Sequence, residues 1–327
     1  MSNFNLIQYL PLTHPKAALR FVKRLNAVGV MSILDLEDSV QDPFDKAMTK
    51  DLKISARNNF LELLQSKSWT GEEFNHPIYV RVNSGSTEFF EDDIQAVLDI
   101  YHTGFPITGI FLPMVESYTQ IKEVQSMLED TKSTKSIKNL KHGLEIVPMI
   151  ETVAGMNALL SMLESDKHEQ KFSKVHYGHF DYCLDDGLWP FPDPNHDSFW
   201  RLIVPMARLI LDHKKTYIHT PFPFMDDVDL FWAASWYLMD LFPEGEMWAC
   251  TLNSEISLSQ EPLEKPLLEI NTPENSIEFR IQEAKKIQEQ FLAGRANRRS
   301  FGVSSNRFIP PHQYFSAKQF LKNNQTN

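Results

Sequence analysis

Four short stretches of this 327-residue chain carry groups whose type and spacing could do chemistry. In the first, Ile33–Val40 (ILDLEDSV), Asp35, Glu37 and Asp38 stand among residues that read as a buried strand. Carboxylates are rarely tolerated in a core without partners. Arg81 and Asn83 close a second apolar run, IYVRVN. Glu151 and Thr152 close a third, EIVPMIET, and Asp181 follows a fourth, VHYGHFD. Carboxylate oxygens suit a hard divalent cation, Mg2+ first and Mn2+ as the alternative. A guanidinium beside such an ion can hold a substrate carboxylate through two parallel hydrogen bonds. The pair is what an enolate needs: a Lewis acid on a carbonyl or acyl oxygen, and a cation fixing the anion. Any one of these residues alone is better explained as a helix cap or a solvated strand end. Glu151, Asp181 and Arg81 together reverse that preference if one fold brings them to one mouth.

The elements that must position them follow from the rhythm of the chain. Short apolar runs fall near 6–11, 30–36, 77–83, 107–113, 144–150, 173–178, 215–219 and 246–251. Amphipathic helical patterns lie between them, near 14–28, 43–65, 87–102, 117–129, 152–164, 197–212, 226–240 and 256–260. This alternation predicts a parallel sheet, closed as a (β/α)8 TIM barrel. A doubly wound open sheet is the rival, and no G-x-G-x-x-G follows a strand to support it. In a barrel the chemistry sits at the C-terminal strand ends. That rim would hold the residues above together with Glu116, Asp185, Asp186, His219, Thr220, Thr251 and Asn253. We divide the chain into a catalytic barrel, 1–260, and a helical extension, 261–327, which would act as a lid over the mouth or as a subunit contact. Its main helix should open at Pro273-Glu274 and close at Gly294.

Composition bounds the function. The net charge of −11 argues against a nucleic-acid partner. The basic runs Lys132–Lys141 and Arg295–Arg299 read as solvated loops, and 128–143 as a polar surface excursion. No apolar run is long enough to span a membrane, and the N-terminus lacks a secretory pattern. Cys183 and Cys250 make no disulfide framework and no zinc spacing, so a reducing cytoplasm is expected. Trp232, Trp236 and Trp248, with Phe231 and Phe242, read as barrel packing or an oligomer face. His14 reads as a helix-start residue and 192–197 as a solvated turn rather than a second metal loop. A reactive Cys183 thiol finds no cationic neighbour in sequence.

These segments resemble the HpcH/HpaI aldolase and citrate lyase β-subunit superfamily, in its citrate-lyase-like branch. The matching motifs are L-D-L-E-D-[AGS]-V at Leu34–Val40, V-R-[VI]-N at Val80–Asn83, L-P-K-x-E-S at Leu112–Ser117, I-E-T-A-x-G at Ile150–Gly155 and G-x-x-D at Gly178–Asp181. No single motif would carry the resemblance; five in order, each at an expected strand end, do. It implies a TIM barrel that assembles as a trimer or hexamer. It also implies Mg2+ on Glu151 and Asp181, a substrate carboxylate on Arg81, and Glu37 and Asp38 behind the metal and its waters. Asn83 and Thr152 join Arg81 as candidate substrate contacts, and Arg81, Asp38 and Glu37 are the candidate catalytic set.

The departures are specific. The family's opening arginine is missing before Pro11, and its L-P-K lysine is Met114. The His-Pro pair of its strand-eight signature is lost at Met247–Ile256. The lid motif I-D-x-P, whose aspartate reaches a neighbouring subunit, becomes Ile309-Pro310-Pro311. The expected activity is therefore a Mg2+-dependent carbon–carbon lyase or aldolase, acting on a citryl- or malyl-type CoA thioester or on a 2-oxo acid. The rival is a catalytically drifted paralogue that binds a ligand or serves in assembly.

Overall fold

In the computed structural model, eight parallel strands close into a barrel in sequence order. They are β1 (Phe4–Pro11), β2 (Met31–Asp35), β3 (Ile78–Arg81), β4 (Gly109–Leu112), β5 (Glu145–Ile150), β6 (Lys174–Tyr177), β7 (Thr216–Pro221) and β8 (Met247–Thr251). The structure describes residues 4–65, 74–130, 143–224, 227–259, 261–296, 301–304 and 307–324. The excursion at 128–143 and the basic run 132–141 therefore lie largely outside the described residues.

Strand alternation explains both layers of the core. Successive side chains point to opposite faces. Ile7, Tyr9, Met31, Ile33, Tyr79, Phe111, Val147, Met149, Ile218, Trp248 and Cys250 form one buried cluster that fills the barrel. Leu10, Leu34, Val80, Ile110, Ile146, Val175 and Tyr217 point outward into the helix layer. The same parity carries the chemistry. Asp35 continues the inward series of Met31 and Ile33, Arg81 that of Tyr79, and Glu151 that of Val147 and Met149. Asp35 and Arg81 are register partners on neighbouring strands.

The outer ring holds α1 (Pro15–Asn26), α2 (Lys46–Gln65), α3 (Phe90–His102), α4 (Tyr118–Asp130), α5 (Val153–Glu169), α7 (Asp197–Asp212), α8 (Val228–Leu241) and the single turn α9 (Ser254–Ser257). A short α6 (His179–Asp185) follows β6 directly. Local chemistry sets several starts. His14 precedes α1, with Pro15 at its first position. Asp227 caps α8 by accepting from the Leu230 N–H at 3.0 Å. No helix among the described residues is long and apolar enough to cross a membrane.

The C-terminal region adds α10 (Ile277–Ala296), a small hairpin of β9 (Gly302–Ser304) with β10 (Arg307–Ile309), and α11 (Pro311–Asn324). The main helix starts later than expected and runs through Gly294. That glycine serves close packing rather than termination, since a Cβ there would strike the Phe301 carbonyl. Trp189, Ile287, Phe291, Ile309, Tyr314 and Leu321 form a separate apolar cluster under these elements. Polar anchors seat them on the loops after β2, β6 and β7. Arg295 pairs with Asp42 at 3.0 Å and Arg307 with Asp193 at 2.8 Å. The Trp189 indole N–H donates to the Arg280 carbonyl at 3.0 Å, and the Phe308 N–H to the Pro223 carbonyl at 2.8 Å. Two expectations are corrected here. Arg295 is ion-paired rather than solvated. The 192–197 turn is tied down through Asp193 and leads into α7, rather than lying free.

The remaining aromatic residues pack as barrel residues do. Trp248 lies in the interior, Phe231 and Trp232 form a cluster with Ala249 and Ile256, and Phe242 joins the helix layer. Cys183 is fully buried, and burial pushes its thiol well above the ordinary value, which leaves no reactive thiolate.

Candidate active site

Arg81 is the hub of the mouth. Its Nε and Nη2 donate to the two oxygens of Asp35, each at 2.7 Å. Its Nη1 reaches Glu37 Oε2 at 2.9 Å and Asp38 Oδ2 at 3.2 Å. Its guanidinium lies 4.6 Å from the Tyr9 ring centroid. Asp35 is 1% exposed and is satisfied further by the N–H groups of Glu37 and Ser39, at 3.0 and 3.1 Å. The turn after β2 is thus wound around one carboxylate, which explains why ILDLEDSV carries acid inside an apolar run.

Glu151 stands at the end of β5, 2% exposed. One of its oxygens accepts from the Met114 N–H at 2.8 Å, where Met114 holds a left-handed φ of 54°. The other lies against Gly178, where a Cβ would collide with it. Burial, then the charge of Asp181, pushes the Glu151 carboxyl up to about 8. Asp181, in the first turn of α6, accepts from His312 Nε2 at 2.9 Å. Burial works against a charge on His312, but Asp181 outweighs it, and the imidazole is lifted to about 9. Burial and the neighbouring Asp38 raise Glu37 well above the carboxylate range. For Asp38, burial is outweighed by Arg81 and His312, which hold its carboxyl below the ordinary value.

Arg81, Asp35, Asp38, Glu151, Asp181 and His312 line one cavity of about 480 Å³ at the C-terminal end of the barrel. Donor atoms of Asp38, Asp181 and His312 lie within 4.8 Å of one another. Five carboxylates, Asp35, Glu37, Asp38, Glu151 and Asp181, face three cationic groups, Arg81, Lys53 and His312. In the metal-free fold this crowding is relieved by protons held on Glu37 and Glu151, which a divalent cation could replace. The oxygen-rich donor set suits Mg2+.

Two candidate substrate contacts stand elsewhere. Asn83 is 3% exposed, and its side chain is taken by the Leu36 carbonyl, Asp93 and Lys53 at 3.1, 2.6 and 2.6 Å. Thr152 caps α5, its Oγ1 accepting from the Gly155 N–H at 2.9 Å. Neither lines the cavity; both position the residues beside them. Of the wider rim, Asp185 accepts from the Val153 N–H at 2.7 Å, Glu116 donates its backbone N–H to Gln120 just ahead of α4, and half-buried His219 stacks on Trp200 and bonds to Tyr217. These serve the scaffold.

Sequence reasoning missed Lys53 and His312. Lys53 Nζ donates to the Leu36 and Glu37 carbonyls at 3.2 and 2.9 Å, clamping the acidic turn from α2. The signal was present: Lys53 shares a helix face with buried Ala56, Arg57, Phe60 and Leu64. His312 follows the Pro310-Pro311 pair, two residues after the position inspected for an aspartate, and no local pattern marks it.

The HpcH/HpaI aldolase/citrate lyase family model matches residues 9–195, more than half of the chain. The chain belongs to the HpcH/HpaI aldolase/citrate lyase family. No curated protein is similar enough in sequence to count as a relative. Solved structures resemble this family member in fold. CitE from Mycobacterium tuberculosis, in complex with magnesium, acetoacetate and coenzyme A, is 18% identical over 97% of each chain, with a TM-score of 0.53. A citrate lyase from Burkholderia xenovorans LB400 is 14% identical, covering 98% of this chain and 92% of that one, with a TM-score of 0.60. RipC from Yersinia pestis is 20% identical, covering 78% and 92%, with a TM-score of 0.51.

Proposed function

We propose that this chain is a Mg2+-dependent carbon–carbon lyase or aldolase acting on a 2-oxo acid or on a citryl- or malyl-type CoA thioester. The observation that carries the reading is the crowding of carboxyl groups around Arg81 at the mouth of this family's barrel. Magnesium complexes of the M. tuberculosis CitE with pyruvate and of a citrate lyase beta subunit from M. tuberculosis with oxaloacetate are in keeping with it.

Glu151 and Asp181 would hold the ion, with Asp38 in reach. The ion supplies Lewis-acid polarisation of a carbonyl oxygen. Asp35 fixes the guanidinium plane of Arg81 through a two-point contact, so Nη1 is the donor free to change partners. It would exchange Glu37 and Asp38 for a substrate carboxylate. Asp38, ionised and lining the cavity, is placed to take a proton from substrate. Glu37 sits behind it, accepting the Asp38 N–H at 3.2 Å and keeping that turn in place. Assembly as a homo-oligomer belongs to the same proposal.

The test is thermal stabilisation by Mg2+ with oxaloacetate or pyruvate, followed by a carbon–carbon cleavage assay. Ligand bound to the native state raises the melting temperature by mass action. A shift that requires both ion and acid, with turnover, supports the enzyme. A shift without turnover identifies a binding subunit, and no shift with either acid refutes the site.

A further inference from the structure

The cavity has two unlike ends. Arg81, Asp38, Glu151 and Asp181 stand at its floor, whereas Phe180, Phe222, Phe224, Phe308 and Pro310 contribute an apolar wall. The rings of Phe180 and Phe308 lie 6.4 Å apart, and those of Phe222 and Phe224 5.5 Å apart. The two patches are joined by backbone, since Phe224 bridges to Arg307 and the Phe308 N–H donates to the Pro223 carbonyl at 2.8 Å. A three-carbon acid on the floor would fill only a small part of the roughly 480 Å³ available. Among the described lining residues, the charged cations are Arg81 and His312, and both are paired with carboxylates. Among the described residues, the wall therefore offers apolar surface and no lysine or arginine for a phosphate.

We infer that the substrate is a free 2-oxo acid whose far end is an apolar group, the size of a phenyl ring or a branched alkyl chain, seated against Phe180, Phe222, Phe224 and Phe308. The inference rests on the reading of the floor as a metal and oxo-acid site. Burying such a group against aromatic edges contributes binding that pyruvate cannot collect.

Calorimetric titration of the full chain in Mg2+ with phenylpyruvate, 4-methyl-2-oxopentanoate, pyruvate and acetyl-CoA tests it. The two apolar acids should bind about tenfold or more tighter than pyruvate. Phe308→Ala and Phe224→Ala should each reduce that ratio, with folding checked by circular dichroism. If one variant fails to fold, the wild-type ratio and the other variant decide. Pyruvate binding as tightly as phenylpyruvate, or acetyl-CoA binding tighter than both apolar acids, overturns this inference alone. Binding of no acid in the presence of Mg2+ overturns the proposed function and this inference with it.

Discussion

Arg81 is oriented before any ligand arrives, because Asp35 holds two of its nitrogens in a buried, two-point contact. Removing the Asp35 charge while keeping its shape should release that grip. We expect Asp35→Asn to lower unfolding free energy by about 1–3 kcal/mol, measured by urea denaturation; an unchanged midpoint would contradict the role given to Asp35. Protonation offers a second test. In the metal-free fold the Glu151 carboxyl is raised to about 8, and His312 to about 9. Above pH about 6.5 both bind more protons in the folded than in the unfolded chain, so stability should fall as pH rises from about 6.5 to about 9. His176, His179 and His219 are shifted the other way, and their contribution runs below that window. Melting temperatures in chelator across this range check the slope. A flat or rising profile would mean that the carboxylates do not crowd as described.

The legibility of the elements followed their length. Strands filled by alternating apolar residues, and helices of three turns or more, declare a period, and their expected positions differ from the observed ones by a few residues. The three-residue strands β9 and β10 have too little chain to show one, and the single-turn α9 showed only as a short pattern near 256–260. The acids of β2, β5 and α6 were legible because charge at the end of an apolar run demands a reason. His312 was not legible, because its meaning comes from a long-range contact with Asp181. Gly294 was read as a stop signal when its real constraint is the Phe301 backbone. Gly294→Ala should therefore push β9 away from α10 and cost about 1–3 kcal/mol. Faster hydrogen exchange confined to the C-terminal elements would show it, whereas unchanged protection there would restore the terminator reading.

At the scale of the whole molecule, the barrel supplies the acids and the arginine, while the C-terminal elements close over the same mouth and add His312 and Phe308 to it. The family's expected aspartate at the lid is absent from Ile309-Pro310-Pro311, and the chain's own histidine stands against Asp181 instead. Floor, wall and roof thus come from one chain, and the account depends on a cation completing the charge at the floor. The most direct measurement is a calorimetric titration of Mg2+, with pyruvate present, into the native protein and into Glu151→Gln. The variant keeps an oxygen for the Met114 N–H but loses the charge. The native protein should bind the ion, and the variant should lose at least tenfold in affinity while retaining a cooperative melt. Equal binding by both proteins, or none by the native one, would contradict the assignment.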